Sequence, residues 1–453
     1  MELENKNILV AGIADTGIAA SNFLARNKAI VMAVDDKNEA DLKENLAKLH
    51  SSVQVQTGGL TIENVSDFDL IVVSPGVNMR NKLLKKAKEK NIPVWSEIEL
   101  ASRFINRPII AITGTNGKTT TTKMTSNILK DCGENVYMGG NIGFPVSSIA
   151  DRASQYNYIV LEISSFQLEW IDQFRPFISV ILNITEDHLD RHLDFQEYVS
   201  IKNKIFQNQT ENEYLVLNKD DPVASSIKPK NNIKKLLFSR VEEVRDGAFL
   251  RNNNIVIRLN GEEKVIGSIN KLKAEGVHNI ENGLASALIG TICKAKPENI
   301  MNSLSQFKGI NHRMEFVREI NGIRFVNDSK GTNVGATIKS MESFECPIIL
   351  IAGGKDKGGN YKPLGDLIKR KVKSLFLIGA SKTKIRAVLS GYRNVEDVST
   401  LEDAVKKAFL KAKAGEVVLF SPSCSSFDMF KNYEERGNVF KKAVLSLPGD
   451  DLN

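Results

Sequence analysis

The run Gly114-Thr115-Asn116-Gly117-Lys118-Thr119-Thr120 carries the clearest chemistry in the chain. It follows an apolar stretch at 108–112 and leads into a helical pattern around Met124, Ile128 and Leu129. A strand, a glycine-rich turn, a lysine and a hydroxyl residue opening a helix together make a phosphate cradle. Gly114 and Gly117 let backbone N–H groups approach an anion with no Cβ in the way. Lys118 brings a positive charge, and the Thr119 hydroxyl is placed to ligate Mg2+. The loop departs from general P-loop spacing, because Ile112 stands where that pattern has its first glycine. The combination points to a chain that consumes a nucleoside triphosphate.

Other polar groups gather where strands should end. Glu162 closes the run 158–161 and fits a Mg2+ ligand beside a triphosphate. Residues 183–192 concentrate Asp and His, including His188, which argues for an ion or phosphate site. Tyr198 and Lys202 are four apart and share one face of an expected helix; by residue type alone, Lys202 reads as a surface lysine. Arg313 and Lys330 are suited to clamp phosphate, and Asp328 to hold a ribose. The loop 353–359 offers Lys355 and Lys357 on a flexible backbone, and 421–428 reads as a helix-capping turn. Near the N-terminus, Gly12-Ile13-Ala14-Asp15-Thr16-Gly17 is an incomplete dinucleotide fingerprint, with Ala14 in place of its second glycine. Asp35 lies where an acidic residue binds a ribose hydroxyl. That pairing favours a nucleotide-like anion over NAD and tells against a nicotinamide dehydrogenase.

Three α/β segments must position these groups. In the first, β-rich runs at 8–10, 30–34 and 70–73 alternate with helical patterns such as 16–26, as in a parallel sheet. Ligands sit beyond the carboxyl ends of such strands, where Gly12, Asp35 and Gly76 fall. The second segment begins near Glu99 and holds the phosphate loop. It adds strands at 158–161, 178–182 and 214–217, hairpins over 245–270 with Asn-Asn-Asn and Asn-Gly turns, and a helix over 279–294. The third starts near Gly309, with strands at 323–327, 348–352, 374–378 and 416–420.

A chain of 453 residues is too long for one core, and two to four domains are expected. Apolar content of 42% with 25% charged residues is that of a soluble globular protein. No apolar run reaches membrane-spanning length, and the N-terminus lacks a cleavable-signal pattern, so the cytoplasm is the expected compartment and no membrane partner is expected. The four cysteines are scattered and read as reduced thiols. The net charge of +7 is spread among interspersed signs. Without aromatic interleaving or a basic tail, it suits anionic small molecules and not nucleic acid.

Taken together, these residues resemble the Mur ligase family, ATP-dependent amide-forming enzymes of peptidoglycan precursor synthesis. The 114–120 run marks the wider superfamily, which includes folylpolyglutamate synthases. Glu162-Ile163-Ser164-Ser165-Phe166-Gln167-Leu168-Glu169, Asn327-Asp328-Ser329-Lys330 and Ser426-Phe427-Asp428 resemble the branch that joins D-glutamate to UDP-N-acetylmuramoyl-L-alanine. The resemblance implies three domains: a Rossmann-like one at 1–98 for the UDP-linked substrate, a central P-loop ATPase-type one at 99–308, and a second Rossmann-like one at 309–453. It also implies a monomer, an acyl-phosphate intermediate, ATP, and two Mg2+ ions. Thr119, Glu162 and His188 would be metal ligands, and Lys202 would become carbamylated and join them. Lys118, Glu162, His188 and Lys202 would be the catalytic set. ATP contacts would extend over Gly114, Thr115, Asn116, Gly117, Lys118, Thr119, Thr120, Asn279, Asn282, Arg313 and Asp328. Thr16, Asp35, Gly76, Asn141 and Ser164 would face the UDP-linked substrate. Lys330, Thr332, Lys357, Ser426 and Phe427 would face D-glutamate.

Two positions depart from the family pattern. Asp15 stands where relatives usually carry an apolar residue. Gly331 replaces an alanine, a change expected only to loosen a loop. The alternatives are a sister ligase adding another amino acid and a non-enzymatic nucleotide switch.

Overall fold

The computed structural model describes residues 2–449 apart from Thr61, Glu63, Lys230, Ala274 and Glu275. Its strands form three separate sheets. The first contains β1 (Asn7–Ala11), β2 (Ile30–Val34), β3 (Gln54–Gln56), β4 (Leu70–Val73) and β5 (Val94–Ser96). All are parallel, in the order β3-β2-β1-β4-β5. Strand order therefore reverses between β1 and β4, the place where open α/β sheets form a ligand crevice. The Gly12 and Ser74 turns meet there, with the Ser74 hydroxyl donating to the Gly12 carbonyl at 3.1 Å.

The central sheet contains β6 (Ile109–Thr113), β7 (Val136–Gly140), β8 (Tyr158–Glu162), β9 (Ile178–Ile181), β10 (Tyr214–Asn218), β11 (Lys234–Ser239), β12 (Gly247–Arg251), β13 (Asn254–Leu259) and β14 (Glu262–Ser268). Their order is β14-β13-β12-β11-β10-β9-β6-β8-β7. β6 lies between β8 and β9 and runs parallel to both. The turns after these three strands consequently open on one edge. That edge receives the phosphate loop, Glu162 and the segment starting at Asn183. The hairpins β12–β13–β14 turn on Asn252-Asn253 and Asn260-Gly261, all four with positive φ, as two-residue type I′ turns require.

The third sheet contains β15 (Glu315–Ile320), β16 (Ile323–Asn327), β17 (Ile348–Gly353), β18 (Val372–Ile378), β19 (Val395–Asp397) and β20 (Val417–Phe420). Its order is β15-β16-β20-β17-β18-β19, parallel except for the edge strand β15. β16, β20 and β17 are neighbours, so the loops carrying Lys330, Ser426 and Lys357 leave from adjacent strand ends.

Apolar packing treats the three bodies differently. One core runs without interruption from the first sheet (Ile8, Phe23, Trp95) into the central one (Ile159, Phe174, Tyr198). The third sheet keeps two cores of its own, one on each face. Among the described residues, no helix is long and apolar enough to cross a membrane.

Candidate active site

The phosphate loop leaves β6 and enters the helix Lys118–Asp131 through Gly117, whose φ is +89°. A Cβ at Gly117 would lie 2.5 Å from Asn282 Oδ1 and 3.1 Å from Leu182 Cδ1, so only glycine fits. Asn183 fixes the turn from both sides. Its Oδ1 accepts from the Asn116 N–H at 2.8 Å, and its Nδ2 donates to the Asn116 carbonyl at 3.1 Å. Thr115 Oγ1 donates to the Thr185 carbonyl at 3.0 Å and meets the Tyr198 hydroxyl at 3.2 Å. The first N–H groups of a helix lack intrahelical partners, so the loop is a preformed anion seat. Lys118 Nζ donates to the Gly114 and Thr115 carbonyls, each at 2.9 Å. Burial lowers its pKa, while Glu162 and Asp187 oppose that.

Glu162, 2% exposed, sits beside this seat. Its Oε1 accepts from Asn141 Nδ2 at 2.8 Å. Its Oε2 is buried without a hydrogen-bond partner. An orphaned carboxylate oxygen beside a phosphate loop is the donor a hard cation takes, so the residues present fit Mg2+. His188 is pushed down to about 4, chiefly by burial, and is therefore neutral at pH 7, as a metal ligand must be. Burial works against the charge of Asp187, but Lys357, His188 and Lys118 outweigh it and hold the carboxyl below its ordinary value. Among the described residues, no group of three or more His, Cys, Asp and Glu side chains is gathered to hold a metal ion. Mg2+ suits such a sparse set, because it keeps several waters and takes only one or two carboxylates along with substrate phosphates.

The reading of Lys202 as a surface lysine is corrected: it is 1% exposed. It lies on the helix Phe195–Asn203 with Tyr198, as the spacing required. Its Nζ is 4.7 Å from the Tyr198 ring centroid and donates to the Gly114 carbonyl at 3.0 Å. Burial, reinforced by the charge on Lys118, puts its pKa well below the usual lysine range.

The third sheet closes the cleft, which encloses about 1100 Å³. Lys330 Nζ donates to Thr119 Oγ1 at 3.1 Å and lies 5.0 Å from the Tyr433 ring centroid. Asn333 caps the helix Val334–Glu342 and donates to Asn116 Oδ1 and Asp187 Oδ2, both at 3.2 Å. Lys357 Nζ pairs with Asp187 Oδ1 at 3.3 Å. Arg313, Thr332 and Asn141 also face this space. A narrower recess behind Gly117 is lined by His278, Asn282, Arg313 and Asp328.

Several expected residues sit elsewhere or are already engaged. Thr16, Asp35 and Gly76 lie at the carboxyl edge of the first sheet, outside the cleft. The Asp35 oxygens accept from the Ile13 and Lys37 N–H groups at 2.7 and 3.0 Å, so this carboxylate shapes the Gly12 turn. Ser164 opens the helix Ser165–Leu168 in a capping box with Gln167. Asn279 is buried in the first turn of the helix Val277–Ile292, and Thr120 is buried one residue past the cleft wall. Asp328 Oδ2 accepts from Ser340 and Ser421, each at 2.7 Å, a network in place of a free ribose acceptor. Ser426 is buried and Phe427 exposed, and neither lines the cleft. The 421–428 stretch caps no helix. It bridges to the 353–359 loop through a Lys355–Ser425 pair. Asp15 is exposed in the first turn of the helix Asp15–Arg26, where a negative charge suits the helix dipole.

Gly331 is not a mild substitution. A Cβ there would stand 2.5 Å from Asp328 Oδ2 and 2.7 Å from Ser421 Oγ, against both partners of a hydrogen bond. Asp187 and Asn333 were not singled out by sequence. The density of Asp and His over 183–192 was the available signal for the first, and there was none for the second.

Residues 6–96 match the model of the Mur ligase MurD-like N-terminal domain, 112–290 the Mur ligase middle domain, and 312–424 the Mur ligase glutamate ligase domain. The chain is 47% identical to the UDP-N-acetylmuramoylalanine--D-glutamate ligase of Thermoanaerobacter sp. (strain X514), covering 99% of this chain and 100% of that one. It is also 47% identical to the protein of that name from Geotalea daltonii, covering 100% of both. The solved structure of MurF ligase from Thermotoga maritima in complex with ADP shares the fold, with a TM-score of 0.61 at 17% identity over 98% of this chain and 96% of that one. Three matched domains in family order, with 47% identity over the whole length of a relative, establish that this chain belongs to the Mur ligase family.

Proposed function

We propose that this chain is an ATP-dependent ligase that joins the carboxylate of UDP-N-acetylmuramoyl-L-alanine to the amine of D-glutamate in peptidoglycan precursor synthesis. The observation that carries the reading is the cleft itself. A phosphate seat, an orphaned carboxylate and two lysines from the third sheet, Lys330 and Lys357, face one space.

The chemistry needs that convergence. A substrate carboxylate must attack the γ-phosphate of ATP, and both are anions. At ~4 Å two like unit charges repel by about 4 kcal/mol at an effective dielectric near 20. Lys118, released from its own loop carbonyls, and Lys330 beside Thr119 supply positive charge against this repulsion. Mg2+, held by Thr119, Glu162 and His188, would add Lewis-acid neutralisation of the triphosphate. The product is an acyl phosphate. The neutral amine of D-glutamate attacks it, and the tetrahedral intermediate collapses to amide and inorganic phosphate. Lys357 and Thr332, with Ser426 and Phe427 on the neighbouring loop, are proposed to orient D-glutamate. Asn282, Asn279 and Arg313 are proposed at the adenosine side. Thr16, Asp35, Gly76, Asn141 and Ser164 are proposed to face the UDP-linked substrate. In this reading residues 1–98, 99–308 and 309–453 are the substrate, ATP and amino-acid units.

Lys202 is proposed to carry a carbamate. A neutral amine adds CO2 and releases a proton, and the depressed pKa keeps the amine neutral. The carbamate would face Lys118 as an anion and supply a further metal oxygen for a second Mg2+. The proposed substrates place the chain in the cytoplasm.

The test is phosphate release from ATP, UDP-N-acetylmuramoyl-L-alanine and a panel of amino acids. Release with D-glutamate is expected, and release only with another amino acid would make the chain a sister ligase.

A further inference from the structure

We infer that Arg191 is a positioning residue that ties the loop after β4 to the placement of His188. The inference rests on the cleft assignment above. Arg191 lies on the central body, with its guanidinium carbon 4.1 Å from the centroid of the Phe166 ring. Both Glu169 oxygens accept from it, at 3.1 and 2.8 Å. Its terminal nitrogens cross to the first sheet, where Nη1 donates to the Pro75 carbonyl at 2.5 Å and Nη2 to the Val77 carbonyl at 2.8 Å. The crossing is reciprocal. Arg80, on the loop that follows β4, donates to the Arg191 carbonyl and to both Glu197 oxygens, each at 2.8 Å.

A surface ion pair would contribute little. This one is enclosed: the Glu169 side chain is 0% exposed and that of Arg191 12%. Burying an ion pair is seldom the best route to stability, since apolar side chains of similar volume do as well. What the planar fork adds is direction, fixing two carbonyls of one body against a ring of the other. Phe166 in turn meets the His188 ring edge-on, with centroids 4.8 Å apart. His188 has a φ of +55°, an uncommon backbone region for a non-glycine residue. The Arg191 N–H closes that turn by donating to the His188 carbonyl at 3.0 Å. A contiguous path therefore runs from Pro75 and Val77 through Arg191 and Phe166 to His188. Gly76, at its far end, is exposed beside the proposed UDP-linked substrate. Substrate on that loop and metal at His188 should therefore favour each other.

The test uses full-length protein and Mn2+ as the metal probe. Mn2+ binding in the presence of a non-hydrolysable ATP analogue is read by water-proton relaxation, with and without UDP-N-acetylmuramoyl-L-alanine, so no turnover is involved. In the wild type the added substrate is expected to tighten Mn2+ binding by about fivefold or more. Arg191→Ala and Arg80→Ala are expected to reduce that factor to near one, while kcat falls by about 10- to 100-fold and the KM for D-glutamate stays within about twofold. Arg191→Lys keeps the cation over Phe166 without the fork. It should recover the melting temperature but not the tightening, a split that a merely structural role would not produce. An unaltered tightening factor in any folded variant, or none in the wild type, overturns the inference. If Arg191→Ala does not fold, Arg191→Lys decides by the same measure. Wild-type protein that shows the tightening but releases no phosphate with D-glutamate would instead overturn the proposed reaction and leave the coupling standing.

Discussion

Lys118 and Lys330 are cations held where burial disfavours their charge, and each arrangement has a measurable consequence. Lys118→Ala is expected to lower kcat by at least ~100-fold while leaving the circular dichroism unchanged, because its Nζ bonds to carbonyls of its own loop. For Lys330, burial lowers the pKa to about 8 from an ordinary 10.5. Between those values the unfolded chain binds more protons than the folded one, so the strain of burying this charge is greatest below pH 8 and fades as pH rises. Lys330→Met should therefore abolish ligation yet raise the melting temperature relative to wild type at pH 7, with the difference shrinking toward pH 10. For Lys202, intact mass measured under gentle conditions should show an added CO2, lost on acidification together with activity; a fully active, unmodified lysine would remove the carbamate. At this scale the phosphate-loop residues, Glu162 and His188 were legible as candidates, because they stand at the end of a strand or in the polar run that follows one. Asn333 and Tyr433 were not, since asparagine in a helix cap and tyrosine in a helix look the same whether or not they face a ligand.

Elements hold these side chains through turns and buried staples. Gly117→Ala would press a methyl onto Asn282 at a positive φ, with an expected cost of about 1–3 kcal/mol and loss of ATP binding by calorimetry. Arg436, 2% exposed on the helix Tyr433–Leu445, donates to carbonyls of Ser329, Cys424 and Ser425. It joins the loop of Lys330 to that of Ser426. Arg436→Ala orphans those carbonyls and should destabilise the third body by more than about 3 kcal/mol in chemical denaturation. β6, β8, β9 and β10 were readable from their apolar runs and the hairpins from their asparagine turns, whereas β7 and the lysine-led β11 were not. The short edge strands β3, β5 and β19 were not, because three residues carry no periodicity and only a neighbour's backbone defines them. The Gly331 turn was misjudged for a related reason: its lack of room comes from Asp328 and Ser421, and the latter is 90 residues away in sequence.

The whole molecule is joined unevenly. A continuous apolar core fuses the first two bodies, whereas the third meets the central one through polar pairs: Lys330–Thr119, Asn333–Asn116, Lys357–Asp187 and Lys339–Glu281. Polar interfaces of this kind permit relative motion. The third body should swing while the other two stay together. Small-angle scattering should show a smaller radius of gyration with nucleotide and magnesium than without, and higher salt should loosen the closed form; an unchanged radius would count against this hinge. Three α/β bodies were legible in the sequence, but their unequal attachment was not, because it depends on which faces meet. Asn116 and Asn333, which touch across the cleft, stand 217 positions apart. On the ribosome, the phosphate loop is therefore made long before Lys330, Asn333 and Lys357, which complete the cleft, have been translated. A chain that stops before the third body therefore has its glycine turn but an open, unfinished pocket around it.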